Sequence, residues 1–241
     1  MRALTAAATG RSRGTRVVRA ALRRSPPSPN LAAHKGNAML KIHHGQHTRS
    51  LRVVWIAEEL GVPYESRHVP FDPATLKSDA FLSVSPFGAL PAIEDGGVRM
   101  VESGAICQYL TDKYGKHPFR RELGDPDYPT YLQWLHAGEA TLTPPLGAIA
   151  QHTRLRPEST RIPQVASEAV ETFLERMKVL DAHLGGKHYL LGADMSAADV
   201  MVGYALHLAS IFRLMDEAPS HVSAYWKRLS ARDAYKRAAA K

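Results

Sequence analysis

Two neighbouring strings constrain this chain more than any others: Gly88-Ala89-Leu90-Pro91-Ala92-Ile93 and Val101-Glu102-Ser103-Gly104-Ala105-Ile106, with the turn-forming Glu94-Asp95-Gly96-Gly97 between them. Proline has no N–H to give to a β-ladder, so Pro91 either opens a strand in the trans form or serves a special backbone. A cis Leu90–Pro91 bond is such a backbone, and it turns the neighbouring N–H and C=O outward, toward solvent or a bound peptide. The Gly-Gly step closes a two-stranded hairpin. Ser103 to Leu110 then has the apolar spacing of a helix packed on a sheet. A hydroxyl and free N–H groups at the start of that helix are either an ordinary cap or a carboxylate site. Taken together, the two strings offer backbone atoms that pair with a peptide and a helix end that holds a carboxylate. A small acidic peptide satisfies both.

The flanking sequence places these strings in a small α/β sandwich. Leu40 to His44 reads as a strand, and Thr48 to Leu60 as a helix with Leu51, Val54 and Trp55 on one face and Gly61 as its stop. Pro63 to Val69 alternates as a second strand, giving a βαβ start and a parallel pair. Residues 70–85 are irregular, with a short helix after Pro73, and Leu90–Glu94 and Val98–Val101 form the hairpin. Gly115 to Pro129 lacks periodicity and reads as a linker. Every long segment beyond it is helical: Tyr131–Gln151, Ser167–Leu184, Ala197–Phe212 and Ala224–Arg232, with Pro144-Pro145 expected to kink or end the first. Ser196-Ala197-Ala198-Asp199 is a capping box, flanked by Met195 and Val200 at the staple positions.

The formal charge of +8 over 241 residues suggests a nucleic-acid partner, but its distribution argues against one. Residues 1–38 hold Arg2, Arg11, Arg13, Arg16, Arg19, Arg23, Arg24 and Lys35 and no acid, which leaves 23 bases against 23 acids in the remainder. The expected folded body is neutral. The first 38 residues are a basic, Pro-interrupted extension expected to be disordered. Translated sequence upstream of a start at Met39, an organellar presequence and a basic tail for an anionic surface all share this composition. The chain carries no apolar run of the roughly 18 residues that a membrane span needs. Its single cysteine, Cys107, reads as a small core residue and excludes a disulfide framework or a Cys-X-X-Cys pair.

The two strings resemble the glutathione-binding half of the cytosolic glutathione S-transferases, and the resemblance extends over nearly all of residues 39–241. Ile42-His43-His44-Gly45-Gln46-His47-Thr48-Arg49-Ser50-Leu51-Arg52 looks like that family's first strand, active loop and first helix. Tyr131-Leu132-Gln133-Trp134-Leu135-His136 with Leu142-Thr143-Pro144-Pro145-Leu146 is similar to a bacterial and fungal, serine/threonine-type branch. The resemblance implies a thioredoxin-like α/β domain over residues 39–117, a linker over 118–128 and an all-α domain over 129–241. It also implies glutathione as co-substrate, a small hydrophobic electrophile as partner, a homodimer, a detoxification role and a cytoplasmic location, with organellar import through residues 1–38 as the competing case. No nucleic acid, membrane span or metal is expected.

Chemically, the family must hold the glutathione sulfur as thiolate, because the free thiol titrates above neutrality. Counting four residues back from Arg52, as the serine-type members do, reaches Thr48 as the catalytic hydroxyl. His47, Ser50, Leu90, Pro91, Glu102 and Ser103 are the implied glutathione-binding residues, and Ser50 is the alternative hydroxyl. Two departures stand out. Threonine replaces serine, adding a methyl that stiffens the rotamer. Ala89 stands where many relatives carry lysine, so the second carboxylate of glutathione must find Arg49, His47 or a residue of the 70s. His43 and His44 are adjacent on a strand and point to opposite faces, which argues against a shared metal ion. Two other readings remain open: a glutathione-dependent peroxidase or disulfide reductase, and a non-catalytic binding or scaffold module.

Overall fold

The computed structural model describes residues 39–241; the basic extension lies outside the described residues. The described residues open with a four-stranded mixed sheet in the order β2-β1-β3-β4. β1 (Leu40–His44) alternates buried and half-buried positions, as a strand with helices on one face must. It runs parallel to β2 (Tyr64–His68), with Ile42 beside Ser66 and His44 beside His68. It runs antiparallel to β3 (Ala92–Asp95), which hairpins through Gly96 and Gly97, both at positive φ, into β4 (Val98–Val101).

Helix α1 (Ser50–Leu60) carries the apolar run Leu51, Val53, Val54, Trp55, Ile56 and Ala57, all buried. An apolar surface that wide belongs to a helix covered on several sides: β1 and α4 (Ser103–Tyr114) pack against it, as do α8 (Ala197–Ile211) and α10 (Asp233–Ala239). Gly61 ends α1 in the left-handed conformation at φ 64°, returning its N–H to the carbonyls of Ala57 and Glu58. α4 buries Ile106, Cys107 and Leu110 at the expected spacing, and burial pushes the Cys107 thiol up to about 12.

The remainder is helical. α8 is almost entirely buried, and α5 (Tyr128–Ala137), α6 (Thr143–Ala150) and α9 (Ser220–Ala231) pack on it, with α7 (Pro163–Leu184) held against α6 and α9. At its start the Asp199 carboxylate accepts the Ser196 N–H at 2.7 Å and the Leu190 N–H at 2.9 Å, so the capping box also ties down the loop before the helix.

Several sequence expectations shift at their edges. Pro63 and Pro91 lie just outside their strands, because neither can donate to a ladder. Residues 70–85 hold two one-turn helices, α2 (Pro73–Leu76) and α3 (Asp79–Leu82), capped by the side chains of Asp72 and Ser78. The helix expected over Tyr131–Gln151 is α5, a π-helical turn over Gly138–Leu142, and α6, with Pro144 and Pro145 directly after the wide turn and the backbone helical across all three. α10 has no counterpart in the sequence pattern: Arg232 turns extended at ψ 136° and restarts the helix within a segment too short to show a period.

Candidate active site

A cleft of about 260 Å³ opens where α1, β4 and α4 meet the π-helical turn, lined by Arg49, Phe87, Ala89, Leu90, Pro91, Val101, Glu102, Ser103 and Glu139. The Leu90–Pro91 bond is cis. Glu102 adopts φ 71°, a backbone that residues with side chains rarely hold outside functional loops, and it starts α4 with no side-chain cap. The first N–H groups of α4 are therefore open to a ligand at the positive end of the helix. Ser103 is nearly buried, and its hydroxyl accepts a hydrogen bond from Arg52 Nη1 at 3.0 Å, leaving its own proton to give away.

The active loop lies beside this cleft. Gly45 makes the approach possible: a Cβ there would come within 2.7 Å of Leu90 Cδ1, 3.1 Å of the Val69 carbonyl and 3.3 Å of Thr48 Cγ2. Thr48 is 9 % exposed, and its hydroxyl contacts the Gly45 carbonyl at 2.8 Å and Ser50 Oγ at 2.6 Å. Ser50 is fully buried, bonded to His44 Nδ1 at 2.9 Å, and does not line the cleft. His47 is exposed at φ 59°. Its ring stacks on His207, with 3.4 Å between Nδ1 and Nε2, and its carbonyl accepts the Tyr204 hydroxyl. The structure thus brings Leu90, Pro91, Glu102 and Ser103 to one cleft; His47, Thr48 and Ser50 are not among its lining residues, Thr48 immediately preceding the lining Arg49 and Ser50 lying behind Thr48.

His43 faces away from His44, pairing with Glu94 Oε1 at 3.2 Å and standing edge-on to Phe81. Among the described residues no group of three His, Cys, Asp or Glu is arranged to hold a metal ion.

Sequence reasoning missed the arginine–glutamate hub beneath the cleft. Arg52 is fully buried in α1, yet its guanidinium pairs with Glu139 and donates to Ser103 Oγ, the Gly138 carbonyl at 3.0 Å and Thr143 Oγ1 at 2.6 Å, while lying 4.4 Å from the centre of the Tyr204 ring. Arg49 Nε donates to the other oxygen of Glu139 at 2.7 Å. The signal was an arginine inside the apolar run Leu51–Ala57, a position that demands a buried partner.

Residues 49–118 match the model of the glutathione S-transferase N-terminal domain, and residues 145–233 that of its C-terminal domain. Glutathione S-transferase 3 of Schizosaccharomyces pombe is 30% identical over 215 residues, covering 84% of this chain and 88% of the relative. The chain belongs to the glutathione S-transferase family. Among solved structures, a glutathione transferase family member from Pseudomonas fluorescens with two glutathione bound shares 27% identity at a TM-score of 0.74, covering 83% of this chain and 92% of that one. The glutathione transferase URE2P6 from Phanerochaete chrysosporium, in complex with oxidized glutathione, shares 26% at 0.74, over 84% and 95%. The family's thioredoxin-like α/β layer and helical C-terminal part are the two layers described above.

Proposed function

We propose that the protein is a glutathione S-transferase that joins the glutathione thiolate to small apolar electrophiles. The observation that carries this reading is the cleft itself: the cis Leu90–Pro91 segment and the uncapped start of α4 at Ser103 line one cavity, and the Thr48 hydroxyl belongs to the residue just before Arg49 on its wall. The glutathione-bound relatives support the choice of peptide. In this reading Leu90 pairs with the peptide backbone beside Pro91, and Glu102 and Ser103 hold the γ-glutamyl end. Thr48 donates its hydroxyl proton to the sulfur. The positive end of α1 adds to the stabilisation, and about 2.7 kcal/mol of preference for the anion lowers a thiol by two pKa units.

Arg49 answers the loss of lysine at position 89: it is the cation on the cleft wall, its side chain 42% exposed beside Glu139. The electrophile lies against the helical part near Leu142–Gly147.

The test is the ultraviolet thiolate absorbance of bound glutathione as a function of pH. The parent protein should titrate well below the free thiol and Thr48→Ala should not; a Thr48→Ala variant with full turnover overturns the assignment. A homodimer is the expected assembly, and Phe87, 72% exposed at the cleft mouth, is apolar surface for a second copy to cover. Light scattering at the monomer mass would refute it.

A further inference from the structure

Thr48 can stabilise a thiolate only if its hydroxyl proton points out of the protein, and the surrounding contacts decide whether it does. Three polar atoms stand in a row behind the cleft: Thr48 Oγ1, Ser50 Oγ at 2.6 Å and His44 Nδ1 at 2.9 Å from Ser50. Each of these short contacts holds one proton, and each hydroxyl has only one to give. If the Ser50 proton goes to His44, the proton between the two hydroxyls must be that of Thr48, which is then locked inward and presents lone pairs to the sulfur. If it goes to Thr48, the Thr48 proton is free, and the proton between Ser50 and His44 must sit on the imidazole.

We infer that His44 and Ser50 are positioning residues for the transferase reaction: His44 carries its proton on Nδ1 and donates to Ser50, Ser50 donates to Thr48, and Thr48 is left to donate to the glutathione thiolate. The inference rests on the proposed role of Thr48.

The other groups in the loop agree with this direction. The Gly45 N–H donates to Ser50 Oγ at 3.1 Å, and the Ser50 proton faces two acceptors: Thr48 Oγ1 at 2.6 Å and the Gly45 carbonyl at 3.1 Å, which already takes the Thr48 N–H and hydroxyl; the shorter contact, to the less occupied acceptor, turns the Ser50 O–H toward Thr48. Without the thiolate the Thr48 hydroxyl has the Gly45 carbonyl to donate to, at 2.8 Å. When the proton turns to the anion, a charge-assisted bond replaces a neutral one, and the Gly45 carbonyl keeps the Thr48 backbone N–H at 3.2 Å. No polar group of the row is orphaned by the change.

His44 is built to remain neutral. It is 2% exposed, and His68 on β2, His47 in the loop and Lys241 after α10 all oppose a positive charge on it; burial, the largest cause, and these neighbours lower it to about 4. Ser50, which counting from the family pattern offers as a spare thiolate ligand, acts one atom further back. The same row explains why a serine follows two residues after the threonine and a histidine closes the first strand.

Two measurements test the relay, using the full chain with glutathione as ligand. Long-range nitrogen–proton NMR on the unmodified protein assigns the His44 tautomer. Nδ1–H is expected, and Nε2–H would overturn the inference without any variant having to fold. In the thiolate titration, Ser50→Ala and His44→Phe should raise the bound thiol by about one pKa unit and lower kcat/KM about tenfold, the size of one lost hydrogen bond. Affinity for S-methylglutathione, which has no thiol to ionise, should be unchanged. His44→Asn, whose amide can donate from the Nδ1 position, should restore most of the effect. A folded Ser50→Ala protein that titrates like the parent refutes the relay while Thr48→Ala still abolishes the lowered titration. If Thr48→Ala also titrates like the parent, it is the reading of Thr48 itself that has failed.

Discussion

At the scale of single residues the decisive feature is a charge inside the protein. Arg52 has no exposed surface, and a guanidinium there is tolerable only because Glu139 balances it and three further oxygens accept its protons. Glu139→Ala leaves that charge with neutral partners only. The expected loss is about 2 kcal/mol, at the lower end for a broken pair because the Glu139 carboxylate is itself 31% exposed, and urea unfolding measures it. Glu139→Gln should cost less, since an amide oxygen still accepts from Arg52. Legibility differed by residue. Cys107, Gly61 and the Ser196–Asp199 cap could be read from spacing alone, because each answers a local rule. Glu139 could not, because its meaning depends on an arginine 87 positions away in the chain.

At the scale of elements, the π-helical turn over Gly138–Leu142 brings Glu139 to the cleft, and it exists where two chains of packing meet. A Cβ on Gly138 would fall 2.6 Å from the backbone of Met201, so the π-helical turn and α8 touch main chain to main chain there. Gly138→Ala must push the helices apart and is expected to destabilise by about 2–3 kcal/mol and to lower glutathione affinity by shifting Glu139. Thermal unfolding and calorimetric titration read the two effects; a variant with parental values for both would contradict the packing role. Sequence periodicity runs one helix through this region, and the backbone does stay helical from α5 through the π-turn into α6; the change in hydrogen-bond pattern leaves no mark that spacing alone can show. The proline pair marks where the helical hydrogen-bond pattern changes, directly after the wide turn. The sheet was easier, since proline, glycine pairs and alternation specify strand ends directly.

At the scale of the whole molecule, acid should act first on buried imidazoles. His44 and His207 are both held near 4 by burial, well below the ordinary histidine value of 6.5. Their stability contribution is complete above that ordinary value and is lost as pH falls toward 4, because the unfolded chain takes up protons that the folded one refuses. Between pH 7 and pH 5 the urea midpoint should fall by the equivalent of roughly 2–4 kcal/mol for the two sites together, and Asn at both positions should flatten the dependence. An unchanged midpoint over that range would contradict the burial of these rings. The depressed carboxylates, Glu58 and Glu94 among them, enter only at lower pH.

Trp55 sits in α1 of the α/β layer, yet its ring stands 4.8 Å from that of Tyr235, and a Cβ on Gly203 would lie 2.8 Å from its edge. Glu58 and Glu59 on the same helix pair with Arg237 and Arg232. The two layers are therefore fitted to each other as a plug is to its socket. Domain shuffling among relatives, however alike their folds, would need to carry the glycine at 203 and the aromatic at 235 along with the tryptophan they receive; a half-molecule transplanted without them inherits a side chain with nowhere to go.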